Sequence, residues 1–394
     1  SPPSPLSPLL PPTAVLSSLP IPTAYAHLSL PSVLRAFLPP HLHAAAPSSF
    51  ESVGSIAHVN LRPEYLPYKL LIGRALLDKT PAISKVVNKI AEISSQFRTF
   101  PMEVIAGADD GDFVTTLREG GVRFRLDFSR VYWNSRLQYE HRRLVDLILG
   151  KEHGGSSKKS STTEAPTKRL IVADAMAGIG PFAIPLGLEN PESILANDLN
   201  PDSFKYLQEN IILNKVSSAV TPSCLDGREF IHSLMSRAPS KTPSHVIMNL
   251  PATAVEFLDA FRSWPAALPP PTVHVYCFVK CQSLDASDAE AKIRPRVEAA
   301  LGCAAGELAV HLVRDVAPKK PMCCVSFRLP EADDLSTIVG KPGDTVVVVN
   351  GYGRGDECEL VEVKVDDFVA VLKVLETGEL LPAVEYEDFS KLHA

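Results

Sequence analysis

The sequence predicts an α/β protein built on a doubly wound parallel sheet, and three observations predict it. The run Leu170–Pro185 (LIVADAMAGIGPFAIP) reads as a buried strand that ends in an acid, Asp174, turns at Gly178 and Gly180, and opens an apolar helix. About twenty residues on, Ile194–Asn200 (ILANDLN) supplies a second strand ending in an acid, Asp198. Further strand signals at Ala219–Cys224, His245–Asn249 and Val273–Val279 alternate with helical stretches at Phe204–Asn214 and Ala254–Phe261, and a late strand falls at Met322–Leu329. Alternation of this kind favours parallel pairing with helices on the faces of the sheet.

Ahead of the sheet, residues 1–54 read as a Pro-rich flexible leader. Twelve of the 35 prolines fall within residues 1–47, the first acid is Glu51, and Arg35 is the only Arg or Lys there. Residues 55–129 read as a small α+β module. Ile83, Val86, Val87, Ile90 and Ile93 have helical spacing, and strands are expected near Phe100–Ala106, Phe113–Leu117 and Val122–Phe128. The main α/β domain is assigned to 130–330. Within it, residues 151–168 (KEHGGSSKKSSTTEAPTK) form a polar, solvated insertion. After a Pro/Asp-rich joint, residues 335–394 carry closely spaced short strands, at Thr345–Val349, Glu359–Val365, Phe368–Val374 and Val384–Leu392. Their Gly turns suit a small barrel.

Composition narrows the functional classes. With 394 residues, 45% apolar and 21% charged, the chain is globular and long enough for two or three domains. A net charge of −6 does not announce a nucleic-acid partner, so any RNA contact must come from local basic patches. Seven cysteines (224, 277, 281, 303, 323, 324 and 358) lack zinc spacing and read as reduced thiols of an intracellular protein. No run is long and apolar enough to suggest a membrane span, and no metal site is expected.

The chemistry concentrates at the strand ends. Gly178-x-Gly180-x-x-Ala183 also fits a dinucleotide fingerprint, but a carboxylate at Asp174 would repel a diphosphate placed on the following helix. That carboxylate suits a cation or amine. S-adenosylmethionine, which has a sulfonium, an amino group and no phosphate, fits better, with Asp198 placed for ribose hydroxyls. Asn249-Leu250-Pro251 ends a strand beside the same crevice, where an amide can read the edge of a planar base. Arg130–Leu144 (RVYWNSRLQYEHRRL) mixes aromatics with charges. Arg136 and Glu140 stand i to i+4, either as an exposed ion pair or as groups that serve proton removal and oxyanion stabilisation.

A resemblance follows from these residues. HVNLRPEYLPYKLLIGRALLDK (58–79), FRTFPMEVIAG (97–107), RVYWNSRLQYEH (130–141), DAMAGIGPFAIP (174–185), NDLNPDSFKYLQENIILNK (197–215), DGREFI (226–231), IMNLPATAVEFLDAF (247–261) and HVYCFVK (274–280) together resemble the eukaryotic/archaeal tRNA (guanine-37-N1)-methyltransferase family. The resemblance spans roughly 55–330 in collinear order. It implies a class I, Rossmann-like methyltransferase domain preceded by an RNA-binding module at 55–129. The implied reaction carries a methyl group from S-adenosylmethionine to N1 of guanosine 37 in the tRNA anticodon loop.

Roles follow residue by residue as implications of that resemblance. Glu140 takes the N1 proton. Arg98 stabilises the transition state. Asn249 reads the base and touches the cofactor. Asp174, Met176, Gly178, Gly180, Pro181, Asp198, Leu199, Asp226 and Gly227 fall on cofactor-contacting positions. Tyr132, Asn134, Arg136 and Pro251 are expected to meet the RNA. Leu250 departs from the Asn-Pro-Pro form of the archaeal motif. The family also carries a further N-terminal module that grips the distant tRNA corner, for which the Pro-rich leader leaves little room. The tail, VVVVNGYGRGDECELVEVKVDDFVAVLKV with AVEYEDFSKL, resembles the SH3-like KOW domain of the Kin family of nuclear nucleic-acid-binding proteins, and either RNA or protein is a fit partner for it.

The expected enzyme is a monomer of the cytoplasm and nucleus, with the mitochondrial matrix as a further compartment. The sister aminocarboxypropyl transferase of wybutosine synthesis uses the same cofactor and is the nearest alternative. A non-catalytic RNA-binding scaffold is the alternative from another class.

Overall fold

The computed structural model describes residues 24–90, 97, 99–151, 170–189, 193–283 and 285–331, together with the tail strands 345–348, 357–364, 369–374, 384–385 and 389–391. The chain divides into two compact units. One comprises residues up to Glu92 with Phe100–Asp112; the other comprises Ile93–Thr99 and everything from Phe113 onward.

In the first unit, helix α1 (Leu30–Phe37) is capped by Ser29, whose hydroxyl accepts from the Ser32 amide, with Pro31 in its first turn. Strands β1 (Glu51–Val53), β2 (Ile56–Val59), β3 (Lys85–Lys89) and β4 (Met102–Gly107) form one sheet in that order, with helix α2 (Lys69–Lys79) between β2 and β3. Val33, Leu34, Ile72, Leu76, Val86 and Ile105 are buried together.

Two expectations change here. Residues 24–54 are not a leader: Val33, Leu34, Leu38 and Leu42 are core residues, because the apolar positions among the prolines share one helical face and the turn after it. Residues 1–23 lie outside the described residues. The helical spacing read from Ile83 to Ile93 gives way over Lys85–Lys89 to strand β3, parallel to β2 and antiparallel to β4; residues 91–93 lie outside the described residues. Val86 and Val87 are both fully buried on opposite faces, which a β-branched pair in a central strand satisfies and a one-sided helix would not.

The second unit opens with the hairpin β5 (Val114–Glu119) and β6 (Val122–Asp127), which the sequence had grouped with the preceding module. Side-chain amides explain the regrouping. Asn210 of helix α5 (Pro201–Leu213) accepts from the Arg125 amide at 2.7 Å and donates to the Arg125 carbonyl at 3.0 Å. Just beyond α5, Asn214 does the same at Arg123. The exposed edge of β6 thus finds its hydrogen bonds on α5.

Helix α3 (Gln138–Ile148) follows, burying His141, Leu144, Val145 and Ile148 at helical spacing. Then come β7 (Ile171–Asp174), α4 (Ala183–Glu189), β8 (Ser193–Asn197), α5, β9 (Val220–Ser223), α6 (Gly227–Met235), β10 (His245–Met248), β11 (Thr272–Phe278), α7 (Ala286–Leu301), β12 (Ala309–Ala317) and β13 (Lys320–Arg328). The seven-stranded sheet runs β12-β13-β11-β10-β7-β8-β9. Five strands are parallel, while β13 is antiparallel to β11 and β12 to β13. The stretch expected as a helix at 254–261 is a 3-10 turn over Glu256–Phe261.

Strand order reverses at β7, which lies between β8 and β10. Ligands of such sheets bind in the crevice at this reversal, beyond the carboxyl ends of the strands. Val172, Ala173, Val246 and Ile247 are fully buried, so both central strands are covered on both faces. In the tail, β14 (Thr345–Val348), β15 (Glu357–Lys364), β16 (Val369–Val374), β17 (Val384–Glu385) and β18 (Phe389–Lys391) form an antiparallel sheet in the order β17-β16-β15-β14-β18. No helix among the described residues is long and apolar enough to cross a membrane.

Candidate active site

The crevice at the ends of β7, β8 and β9 collects most of the residues the sequence singled out. Asp174 is fully buried, and neither carboxylate oxygen has a hydrogen-bond partner. The Met176 amide favours its charged form but falls short of hydrogen-bond geometry. Burial, reinforced by the nearby Asp198 charge, pushes the Asp174 pKa up to about 8. An orphaned buried carboxylate of this kind is stabilised by an incoming cation or amine.

Asp198 accepts from the Gly178 amide at 2.8 Å through one oxygen and from the Asn200 amide at 2.9 Å through the other. Burial raises its pKa, while those amides and the Ser203 hydroxyl pull it back. The carboxylate retains a lone pair for a further donor, such as a hydroxyl. Gly180 sits at φ +101°, where a Cβ would meet Ile184 at 2.8 Å, so the turn before Pro181 and α4 requires glycine. Leu199 and Leu225 stay exposed at the rim. Asp226 caps α6 by accepting from the Arg228 amide at 2.8 Å. A Cβ on Gly227 would meet the Phe257 ring at 2.9 Å and Met176 at 3.4 Å, which closes that side of the crevice.

A hub that the sequence reading did not single out holds the floor. Asn197 is fully buried; it donates to the carbonyls of Ala175 and Leu225 and accepts from the Leu225 amide and the Ser223 hydroxyl, all at 2.9–3.1 Å. One side chain thereby joins the segments leaving β7, β8 and β9. An Asn ending an otherwise apolar strand, in ILANDLN, was the available signal.

Beside this crevice lies a second pocket, lined by Tyr132, Asn134, Leu137, Asn249, Pro251, Phe278, Arg314, Val316 and Met322. It unites Asn249 and Pro251, beyond β10, with Tyr132 and Asn134 from the loop before α3. The Asn134 carboxamide donates to the Tyr132 hydroxyl at 3.3 Å and accepts from the Arg136 amide at 3.1 Å. The sequence reading did not assign Phe278 and Met322 to the site, although it placed both on strands, and it missed Arg314 and Val316 because strand β12 carries no apolar alternation strong enough to announce it.

Glu140 is buried on α3, one turn beyond Leu137. The Arg143 guanidinium donates to both its oxygens, at 2.6 and 2.7 Å, the Tyr276 hydroxyl donates to it at 2.7 Å, and His311 Nε2 lies 3.5 Å away. Burial works against the Arg143 charge, but the Glu140 bonds outweigh it and raise its pKa. Burial also raises that of Tyr276, with help from neighbouring Cys324 and Glu140.

The expected Arg136–Glu140 helix pair does not form. Arg136 belongs to a 3-10 turn (Ser135–Leu137) ahead of α3, and the partner of Glu140 is Arg143. Other basic residues of the segment are also paired: buried His141 meets Glu119 at 2.6 Å, and exposed Arg142 meets Asp146 and Glu189. Arg98 lies outside the described residues.

Known proteins carry the same arrangement. Family models match as the TYW2 N-terminal domain over residues 30–111, the TRM5/TYW2 methyltransferase domain over 157–283 and the KIN17 C-terminal SH3 domain over 341–393. The first begins within the stretch assigned to the leader. A tRNA (guanine(37)-N(1))-methyltransferase of Phytophthora infestans is 46% identical over 322 residues, covering 79% of this chain and 70% of that protein.

The chain belongs to the tRNA (guanine(37)-N(1))-methyltransferase family.

Another member, from Danio rerio, is 44% identical over 318 residues, covering 78% of this chain and 60% of its own length. Among solved structures, Trm5b from Pyrococcus abyssi superposes with a TM-score of 0.58 at 29% identity, covering 78% of this chain and 82% of that one. A complex of aTrm5 with tRNALeu shares the fold, with a TM-score of 0.58 at 22% identity. Within the family frame, the paired pockets at the β7/β10 reversal are the candidate active site.

Proposed function

We propose that this protein transfers a methyl group from S-adenosylmethionine to N1 of guanosine 37 in the anticodon loop of tRNA. The observation that carries the reading is the placement of Asn249. It closes β10 at the strand reversal, between the crevice holding Asp174 and Asp198 and the pocket lined by Tyr132, Asn134 and Pro251. The crevice fits the cofactor: an orphaned buried carboxylate for its cationic end, a remaining lone pair on Asp198 for a ribose hydroxyl, and the Asp226–Gly227 wall beside them. Bound there, S-adenosylmethionine supplies an electrophilic methyl group. Relatives named for this reaction, at up to 46% identity, support the substrate.

The chain's own residues have three tasks. N1 of guanine is neutral and protonated at pH 7, so it must lose a proton before it can attack, and charge then builds on O6. Asn249, with both donor and acceptor, reads the edge of the base, while Tyr132 and Pro251 wall its faces. Glu140 takes the N1 proton. Arg143 and the Tyr276 hydroxyl hold its carboxylate in one orientation, one helical turn beyond Leu137, which lines the base pocket. The target base leaves its stack to enter, which an anticodon loop makes inexpensive. Free, buried Cys277, Cys281, Cys323 and Cys324 support a reducing, intracellular location.

The test is incubation of the purified protein with methyl-labelled S-adenosylmethionine and two unmodified tRNA transcripts, one with G37 and one with A37. Label recovered as 1-methylguanosine from the G37 transcript alone is the expected result. Transfer from the aminocarboxypropyl carbons, or no transfer despite cofactor binding, overturns the proposal.

A further inference from the structure

Strand β12 enters the second pocket by an irregular route. It pairs with β13 as His311 with Cys324 and Leu312 with Cys323, and then as Arg314 with Met322. Val313 is therefore an extra residue, a β-bulge. In an unbroken ladder, side chains alternate, so Arg314 would face away from His311. The bulge shifts the phase by one residue and returns Arg314 to the face shared by Cys324 and Met322 on β13 and by Tyr276 and Phe278 on β11. That is the pocket face: Arg314, Met322 and Phe278 all line it, together with Tyr132, Asn134 and Asn249. A second register shift sets Val316 beside them.

Arg314 is half-buried, and its guanidinium meets no carboxylate among the described residues. Its one hydrogen bond runs from Nε to the Asp315 carbonyl at 3.4 Å. The Asp315 side chain belongs to the opposite face by alternation. At the hairpin turn, Lys319 is exposed with φ +56°, and the Lys320 ammonium lies 5.3 Å over the Phe278 ring. The pocket lining thus combines apolar side chains, amide and phenol groups and the Arg314 guanidinium, with Lys320 over the lining residue Phe278. A base fits the apolar and amide groups, and a phosphodiester fits the guanidinium.

We propose that Arg314, turned onto the pocket face by the Val313 bulge and flanked by Lys319 and Lys320, holds a backbone phosphate of the nucleotide whose base enters the pocket. The proposal rests on the tRNA-methyltransferase reading for the identity of its ligand. A guanidinium on the phosphate fixes where the sugar lies, and so sets the register of the base against Asn249. The role is one of positioning and affinity.

The experiment compares wild type, R314A and R314K with a full-length G37 tRNA transcript. Equilibrium binding is measured across a salt series, and single-turnover methyl transfer is measured at saturating tRNA and cofactor. R314A is expected to weaken tRNA binding about tenfold or more and to lower the log–log salt slope by about one. R314K should keep the slope and recover part of the affinity.

Unchanged affinity and slope in R314A overturn the proposal. So does a hundredfold fall in single-turnover rate at unchanged affinity, which would make Arg314 a group acting on the base itself. S-adenosylmethionine affinity equal to wild type verifies the fold of each variant. Should R314A not fold, a transcript with neutral methylphosphonate linkages flanking position 37 gives the second reading: wild type must lose affinity and salt slope on it, and no loss overturns the proposal. A wild type that binds the transcript with the full salt slope yet leaves guanosine 37 unmethylated overturns the proposed function and leaves the phosphate contact standing.

Discussion

Replacing Asp174 with Asn separates the burial of a carboxylate from its use. Burial holds the Asp174 pKa at about 8 in the cofactor-free fold, against about 3.9 in an unfolded chain. The folded state therefore binds a proton that the unfolded state releases between those values. For a group whose folded pKa is raised, stability is fully present below the unfolded pKa and is lost as pH rises toward the folded one. Each pH unit in that window removes about 1.4 kcal/mol, so wild type loses about 2.7 kcal/mol from this residue between pH 5 and 7. Asn is nearly isosteric and does not titrate.

Urea unfolding of the cofactor-free proteins at pH 5, 6 and 7 measures the difference. Fluorescence of Trp133 and Trp264, the only two tryptophans, reports on the unit that holds the site. The difference in unfolding free energy should move by about 1.4 kcal/mol per pH unit in favour of D174N. The stacked pair His245 and His274, held by burial at about 4 and about 3, titrates in the opposite sense but equally in both proteins, and cancels. In the same series, wild-type affinity for S-adenosylmethionine should rise about tenfold per pH unit up to about pH 8, while D174N binds weakly and without that dependence. A difference flat to within about 0.5 kcal/mol would mean that Asp174 is ionised in the fold, and the argument from its burial would fail.

Two further outcomes follow from the site. Tyr276→Phe removes the hydroxyl that orients Glu140 and should slow single-turnover methyl transfer about tenfold with cofactor affinity unchanged; equal rates would refute the orienting role. Asn197→Ala strips the hub joining three strand ends and should lower stability by about 2–4 kcal/mol, read as a shifted urea midpoint; a loss below about 1 kcal/mol would show that water replaces the amide.

Much of the cofactor crevice was legible in the sequence because it is local. An apolar strand, an acid, a glycine turn and a helix fall within sixteen residues, and the chain geometry of that unit fixes where Asp174 and Gly180 lie. Asp198 and Asn249 followed, since each ends a strand that the β/α alternation announces. The tail strands were equally readable from their closely spaced valines and glycines. Residues 24–54 were misread because proline content outweighed an apolar face only eight residues long.

What the tertiary structure alone decided are the matters of pairing. The sequence offered Arg136 to Glu140 by spacing; the fold gives Glu140 to Arg143 and Tyr276, a contact across 136 residues that no local pattern encodes. It offered 55–129 as one module; side-chain amides of Asn210 and Asn214 draw the β5–β6 hairpin into the second unit. The places of Arg314 and Val316 in the base pocket depend on two register shifts in an edge hairpin. Side-chain direction in a strand is set by register with its neighbour, and register becomes defined only when the two strands meet.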